Sequence, residues 1–380
     1  MSHIPTDLSR TPLAIGIELN GAGVHPAAWT TRPARSFTEP RRFRELARGA
    51  ENAGFTFVTF GERDALDPPT GPIGRLDSIE LAAFVAASTR DIGLLAVAGV
   101  IHAEPFHLAN QLASLDFAAT GRAGWIVDPY DSAERARSYG VPQITDAHRR
   151  RAEASEVVAA VRRLWDTWED GVLIADVESG HFLDPDRLHY ADFDGEFFSV
   201  KGPAITPRPP QGHLPILAPA TADAPIVDVI LASASDLSQL RERIRAQRSQ
   251  FAQPVRVIVE LEVLLDSDSS SATERLQVLD REHTWDSSRL RYVGDANGLV
   301  SLLRDISPDA DGVRLFGAVT DVDLWALVRS VLPRLRDRGL LALPSRNLRA
   351  TFGLGAASNS LSNSRHPDHS AQPVPAGVSR

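Results

Sequence analysis

The sequence contains no cysteine and a single methionine. The missing thiols exclude disulfides, thiolate-bound zinc, iron–sulfur clusters and a cysteine nucleophile together. They also fit a reducing compartment. No stretch of about 18 apolar residues runs unbroken, so no membrane span is expected. Residues 1–21 show no long apolar run behind a basic flank, so no secretory leader is expected. Positive charge is in short supply: 40 Lys and Arg stand against 49 Asp and Glu, a formal net charge of -9. An acidic surface repels phosphate backbones, which disfavours nucleic acid as a partner. No glycine-rich dinucleotide fingerprint follows a strand candidate, and no P-loop is present. What remains is the expectation of a cytoplasmic enzyme acting on a small molecule.

What is there is alternation. Short apolar runs at residues 13–19, 55–60, 92–101, 125–127, 215–219, 226–231, 255–265 and 311–316 read as strands. Between them lie helical stretches at 41–53, 78–88, a segment through Leu108, Leu112 and Leu115, then 147–166, 236–250 and 321–338. In the first, Phe43, Leu46, Ala47 and Ala50 recur at helical spacing and Gly54 stops the run. Strand–helix alternation is the mark of parallel βα units, and runs such as 92–101 suit strands buried on both faces. An α/β barrel and a doubly wound sheet both satisfy this pattern. Residues 170–211 break the rhythm, being irregular and rich in Asp, Gly and Pro. Such a stretch predicts a functional insertion that shapes a pocket. Residues 356–380, rich in Ser, Asn, Pro and His, predict a disordered tail behind one domain covering 1–355.

Chemistry is sparser. Gly61-Glu62-Arg63-Asp64 closes the second strand, the end that carries the active site in a barrel; a solvated turn is the commoner reading of the same residues. His102 lies just past the third strand beside Glu104, placed as a general acid or base, or as a loop histidine paired with that glutamate. His181, His189 and His213 lack a ligand-pair spacing, so no metal site is expected. Asp184, Asp186, Asp192 and Asp194 match no EF-hand. Arg149, Arg150 and Arg151 offer a phosphate contact or a solvated helix face.

Several ordered segments resemble one family. They include His25-Pro26-Ala27-Ala28-Trp29, then Glu104-Pro105-Phe106-His107-Leu108-Ala109, then Gly121-Arg122-Ala123-Gly124-Trp125. Leu164-Trp165-Asp166-Thr167-Trp168-Glu169, the stretch from Gly195 to Pro203, that from Pro207 to Gly212, and Leu348-Arg349-Ala350-Thr351-Phe352-Gly353-Leu354 follow in the same order. The chain thus resembles the luciferase-like flavin monooxygenases, in the branch of the nitrilotriacetate, pristinamycin-synthase and dibenzothiophene-sulfone enzymes. The resemblance implies a bacterial-luciferase-like (β/α)8 TIM barrel with insertions. It implies reduced FMN delivered by a separate flavin reductase, molecular oxygen, a small organic substrate and a homodimer.

It also carries site residues over, several of them altered. Glu62 keeps an acidic residue near the flavin. The third-strand hydroxyls are replaced by Val97, Gly99 and Val100. An Asn and a Thr after Gly-Trp are replaced by Ile126 and Asp128, and a His and a Tyr at the long helix by Ala147 and Arg151. The phosphate loop reads Ala218-Pro219-Ala220-Thr221-Ala222. The implied cofactor contacts are therefore Glu62, Val97, Gly99, Asp128, Ala147, Arg151, Thr221 and Ala222, with His102 as the catalytic group. A phosphate dianion needs N–H and O–H donors. Three uncompensated losses at about 1.5–3 kcal/mol each weaken FMN by powers of ten, and the Arg151 guanidinium works against that loss. The alternatives are a flavin-deficient homologue binding another ligand, and a flavin or deazaflavin oxidoreductase on the same barrel.

Overall fold

The computed structural model describes residues 12–19, 21–31, 38–61, 76–219, 227–251 and 255–362. The expected contacts Glu62, Thr221 and Ala222 lie outside these residues. The predicted runs fold as β1 (Ala14–Glu18), β2 (Phe57–Phe60), β3 (Gly93–Gly99) and β4 (Ala123–Asp128). After a separate antiparallel pair, β5 (Phe193–Asp194) and β6 (Ser199–Val200), come β7 (Ile216–Pro219), β8 (Val229–Ala232), β9 (Arg256–Leu265), β10 (Leu290–Gly294) and β11 (Gly312–Gly317). Parallel pairing runs β9-β11-β1-β2-β3-β4-β7-β8, and β8 pairs back to β9. That closes an eight-stranded parallel barrel, so the open-sheet alternative is gone. β10 is additional: it pairs with β9 from Leu261 to Leu265, beyond Val259 where β8 stops.

The helices start and stop where the local chemistry directs. In α1 (Pro40–Ala53), Pro40 stands at the first turn, where no intrahelical donor is needed, and left-handed Gly54 at φ 92° donates back to the last carbonyls. Asp77 caps α2 (Ser78–Ala86) and Glu104 caps α3 (Pro105–Ala118), each accepting two backbone N–H groups. α4 (Ala133–Tyr139) and the long α5 (Ala147–Trp165) begin on Ser132 and Asp146. Further on lie α6 (Leu237–Arg248), α7 (Ala272–Asp280) and α8 (Ala296–Ile306).

The predicted single helix at 321–338 is three pieces: α9 (Thr320–Ala326), a π-helical turn over Leu327–Val331, and α10 (Leu332–Asp337). Pro333 stands in the first turn of α10, and its missing N–H accounts for the break. α11 (Leu348–Thr351) is a single turn.

The barrel interior is a packed core of its own, formed by Ala14, Phe57, Leu95, Val97, Ile126, Leu217, Val229, Leu231 and Ile258. Each fully buried large apolar side chain contributes about 1.5–3 kcal/mol. Leu348 and Phe352 close its N-terminal end; Leu348 lies against Gly93 and Gly124, and Phe352 meets Phe57 edge-on at 5.5 Å. Gly16 must be small, because a Cβ there would stand 2.0 Å from the Phe57 ring.

Two expectations need correction. Residues 356–362, read as the start of a disordered tail, pack: Leu361 is buried, and Ser360 donates to Asp166 through both its N–H and its hydroxyl. The insertion at 170–211 connects α5 to the start of β7, so it belongs to the end of the barrel opposite the strand C-termini. Its β5–β6 turn climbs beside α5, where Glu156 accepts the N–H groups of Glu196, Phe197 and Phe198, and Arg149 reaches the Phe197 ring at 6.0 Å.

Candidate functional site

The strand C-termini carry two clusters on opposite sides of the barrel. On one side, Gly99 and Asp128 are register partners at the ends of β3 and β4, and Val97 lies buried one pleat below Gly99. Arg135 of α4 organises this side. Its Nη1 donates to the Asp128 carboxylate at 3.1 Å and to the Tyr130 carbonyl at 2.8 Å. A Cβ at Gly99 would sit 1.8 Å from its Nη2, so the guanidinium fills the space left by the missing side chain. Asp128 is thereby neutralised instead of standing as a bare charge.

His102 sits on a strained backbone at φ 65° just beyond β3. Positive φ in a non-glycine residue costs free energy that surrounding contacts must hold. Its Nε2 lies 3.2 Å from Asp131 Oδ2, its ring 5.6 Å from Tyr139, and its N–H donates to Glu153 of α5 at 3.3 Å. The pairing with Glu104 does not form; that carboxylate caps α3. Asp131 is buried, with Oδ2 also accepting the Ile144 N–H at 2.8 Å and Oδ1 without a partner. A neutral imidazole donating through Nε2 presents Nδ1 as a proton acceptor. Ala147 is exposed at the first turn of α5, and Arg151 is half-buried one turn on. The structure thus gathers His102, Val97, Gly99 and Asp128 at the β3–β4 end, with Ala147 and Arg151 on the helix that touches it through Glu153.

On the far side, charge crosses the interior. Glu18 accepts from Thr59 at 2.6 Å, from the Gly61 N–H at 2.7 Å and from Arg314. Arg314 also reaches Glu260 at 3.0 Å; Arg289 reaches Glu260 at 3.2 Å and Glu262 at 3.6 Å; Arg291 reaches Glu262 at 3.3 Å. Three carboxylates and three guanidiniums alternate in this ladder. Arg314 and the three carboxylates are the inner members, at 12% exposure or less, whereas Arg289 and Arg291 are 33% and 27% exposed. Both Arg289 and Arg314 lie over the Phe316 ring, at 4.4 and 4.5 Å, and Arg291 lies over Trp285 at 3.9 Å. Trp285 packs on His25, whose Nδ1 accepts the Ala27 N–H and whose Nε2 meets Asp280 at 3.0 Å. Burial lowers the His25 pKa, against the opposing pull of Asp280.

The sequence model of the luciferase-like monooxygenases matches residues 21–313. This chain belongs to the luciferase-like monooxygenase family. Among its relatives, N-acetyl-S-(2-succino)cysteine monooxygenase of Bacillus subtilis is 32% identical over 251 residues, 63% of this chain and 57% of that protein. Dibenzothiophene-sulfone monooxygenase of Rhodococcus erythropolis is 32% identical over 52% of this chain and 46% of its own length. The chain spans about half the length of the curated relatives it matches. Solved structures share the fold. A long-chain alkane monooxygenase superposes with a TM-score of 0.81 at 16% identity, covering 91% of this chain and 96% of that one. A riboflavin lyase with modified FMN and riboflavin superposes at 0.79 and 21% identity, covering 90% and 95%.

Within this luciferase-like barrel, sequence reasoning missed Arg135, Asp131 and the whole ion ladder. A signal for the ladder was available. Glu18, Glu260, Glu262 and Arg314 each interrupt an apolar strand, and Glu260 and Glu262 do so two residues apart, on one face. Among the described residues no helix is long and apolar enough to cross a membrane, and no group of three or more His, Asp or Glu is placed to hold a metal.

Proposed function

We propose that the protein is a flavin-dependent monooxygenase that takes reduced FMN from a separate reductase and uses molecular oxygen to oxidise a small organic substrate. The observation that carries this reading is the family match over residues 21–313, which runs from just after β1 to the start of β11. The donor set suits an anionic planar cofactor. Val97, Gly99 and Ile126 make a small apolar floor, and Arg135 and Arg151 supply positive charge beside it and on α5. Bound flavin supplies the oxygen chemistry, and the protein supplies binding, orientation and exclusion of water. In this reading His102 holds or moves a proton at Nδ1, with Asp131 fixing its ring. A homodimer and a cytoplasmic setting belong to the same proposal.

The test is an anaerobic titration with reduced FMN followed by admission of oxygen. Saturable binding that weakens in Arg151→Ala, together with oxygen uptake, is expected. No binding of either redox form at about millimolar flavin overturns it. A second reading, a barrel that binds another ligand without flavin, rests on the Arg135 guanidinium filling the space over Gly99. The same titration decides between them.

A further inference from the structure

We infer that Arg289 and Arg291 form a carboxylate-binding subsite at the β9–β11 side of the barrel mouth, which makes the substrate a small organic acid. The inference rests on the mouth being the active site, as proposed above. The two arginines flank Leu290 at the start of β10, and alternate residues of a strand share a face. Here that face is the interior: Arg291 is the register partner of Glu262, which shares its side of β9 with the core residue Ile258.

Each guanidinium is fixed on two counts. Phe316 and Trp285 hold one side of each plane, and Glu260 and Glu262 hold the inner edges. Among the described residues no further hydrogen bond reaches Arg289 Nη2 or either Nη of Arg291, and the two side chains keep 33% and 27% exposure. The ladder is neutral in sum but polarised. Its carboxylates lie innermost, at 2% exposure for Glu262 and 12% for Glu260, and the two outer cations are its most exposed members. Two preset planar N–H edges match the two oxygens of a carboxylate better than a neutral or hydrocarbon group. An apolar substrate would leave these donors stripped of water and unpaired.

The site is preformed, so it is tested without flavin. Calorimetry of the full chain compares succinate with the uncharged succinamide and with inorganic phosphate. Saturable succinate binding is expected, with succinamide about tenfold weaker or more. Arg289→Lys and Arg291→Lys keep the charge beside Glu260 and Glu262 and so keep the fold, but lose the planar edge. Each is expected to weaken succinate by about tenfold, whereas Arg137→Lys, at an arginine 73% exposed on α4, leaves it unchanged.

Three results overturn the proposal: no saturable succinate binding at about 50 mM, equal binding by the lysine variants, or phosphate outcompeting succinate. The last assigns the pair to a cofactor phosphate. Because no flavin enters this experiment, its failure leaves the reduced-FMN titration standing, and the reverse also holds.

Discussion

Replacing Arg314 by methionine tests whether the ladder across the barrel interior holds the fold together. Methionine keeps much of the volume and removes the charge. Arg314 is 6% exposed and lies between Glu18 at 9% and Glu260 at 12%. Removing one member of a buried ion pair costs about 3–5 kcal/mol, because the partner charge stays buried. The local contacts place this case at the lower end. Glu260 keeps Arg289 at 3.2 Å, and Glu18 keeps the Thr59 hydroxyl and the Gly61 N–H. A loss of about 3 kcal/mol follows.

With an unfolding entropy of about 2.1 cal/mol/K per residue over the 380 residues, that is about 4 °C in Tm. Urea unfolding with an unchanged m-value measures it directly. Adding Glu18→Gln to Arg314→Met removes the carboxylate whose ion pair was broken, so the double variant is expected to recover about 1–2 kcal/mol relative to additivity. A single-variant loss below about 1 kcal/mol, or strict additivity, refutes the reasoning and reduces the ladder to a solvated ornament.

Other outcomes are equally definite. Gly99→Ala drives the Arg135 guanidinium off its seat and breaks the Asp128 bond, costing about 1–3 kcal/mol in urea unfolding; no change means the arginine moves freely. Burial raises the Asp116 pKa from 3.8 to about 6, despite hydrogen bonds from Gln211 and Ala123. Because the folded value lies above the unfolded one, its contribution is fully present below about pH 4 and fades as pH rises through about 6. Wild type is expected to lose up to about 3 kcal/mol between pH 4 and 7.5 relative to Asp116→Asn, read from urea curves at both pH values. Ending the chain after Gly355 removes buried Leu361 and the Ser360 bonds to Asp166, and costs about 1–3 kcal/mol against a chain ending at 362. If His102 carries the proton, His102→Ala lowers turnover about 10²–10⁴-fold while reduced-FMN binding persists in the same titration.

The sequence made the barrel legible where strands are apolar throughout. β3 stands within one or two residues of its expected ends, because a strand buried on both faces has no polar position to blur it, and β9 does so because the apolar residues around Glu260 and Glu262 keep the run continuous. The segment from α7 to α8 went unread for the opposite reason. β10 is half-exposed, carries Arg291 and Tyr292, and joins the sheet only through β9, so it lacks the apolar run of a barrel strand. α4 was missed because its seven residues are too few to show a period, and Arg135 with it.

Of the expected site residues, Gly99 and Asp128 could be set at strand ends from sequence. That a guanidinium seven residues beyond Asp128 would fill the gap over Gly99 depends on the angle of a short helix, which no pattern encodes. The packed residues after Gly355 were misread because Asp166, which anchors them, lies far away in the chain.

Leu348 and Phe352 act as a stopper in the base of the cylinder. Above that stopper the cylinder is filled by interlocking apolar side chains, so base and rim are separate surfaces, and a substitution at the base reaches the rim only by pushing through the packing between them.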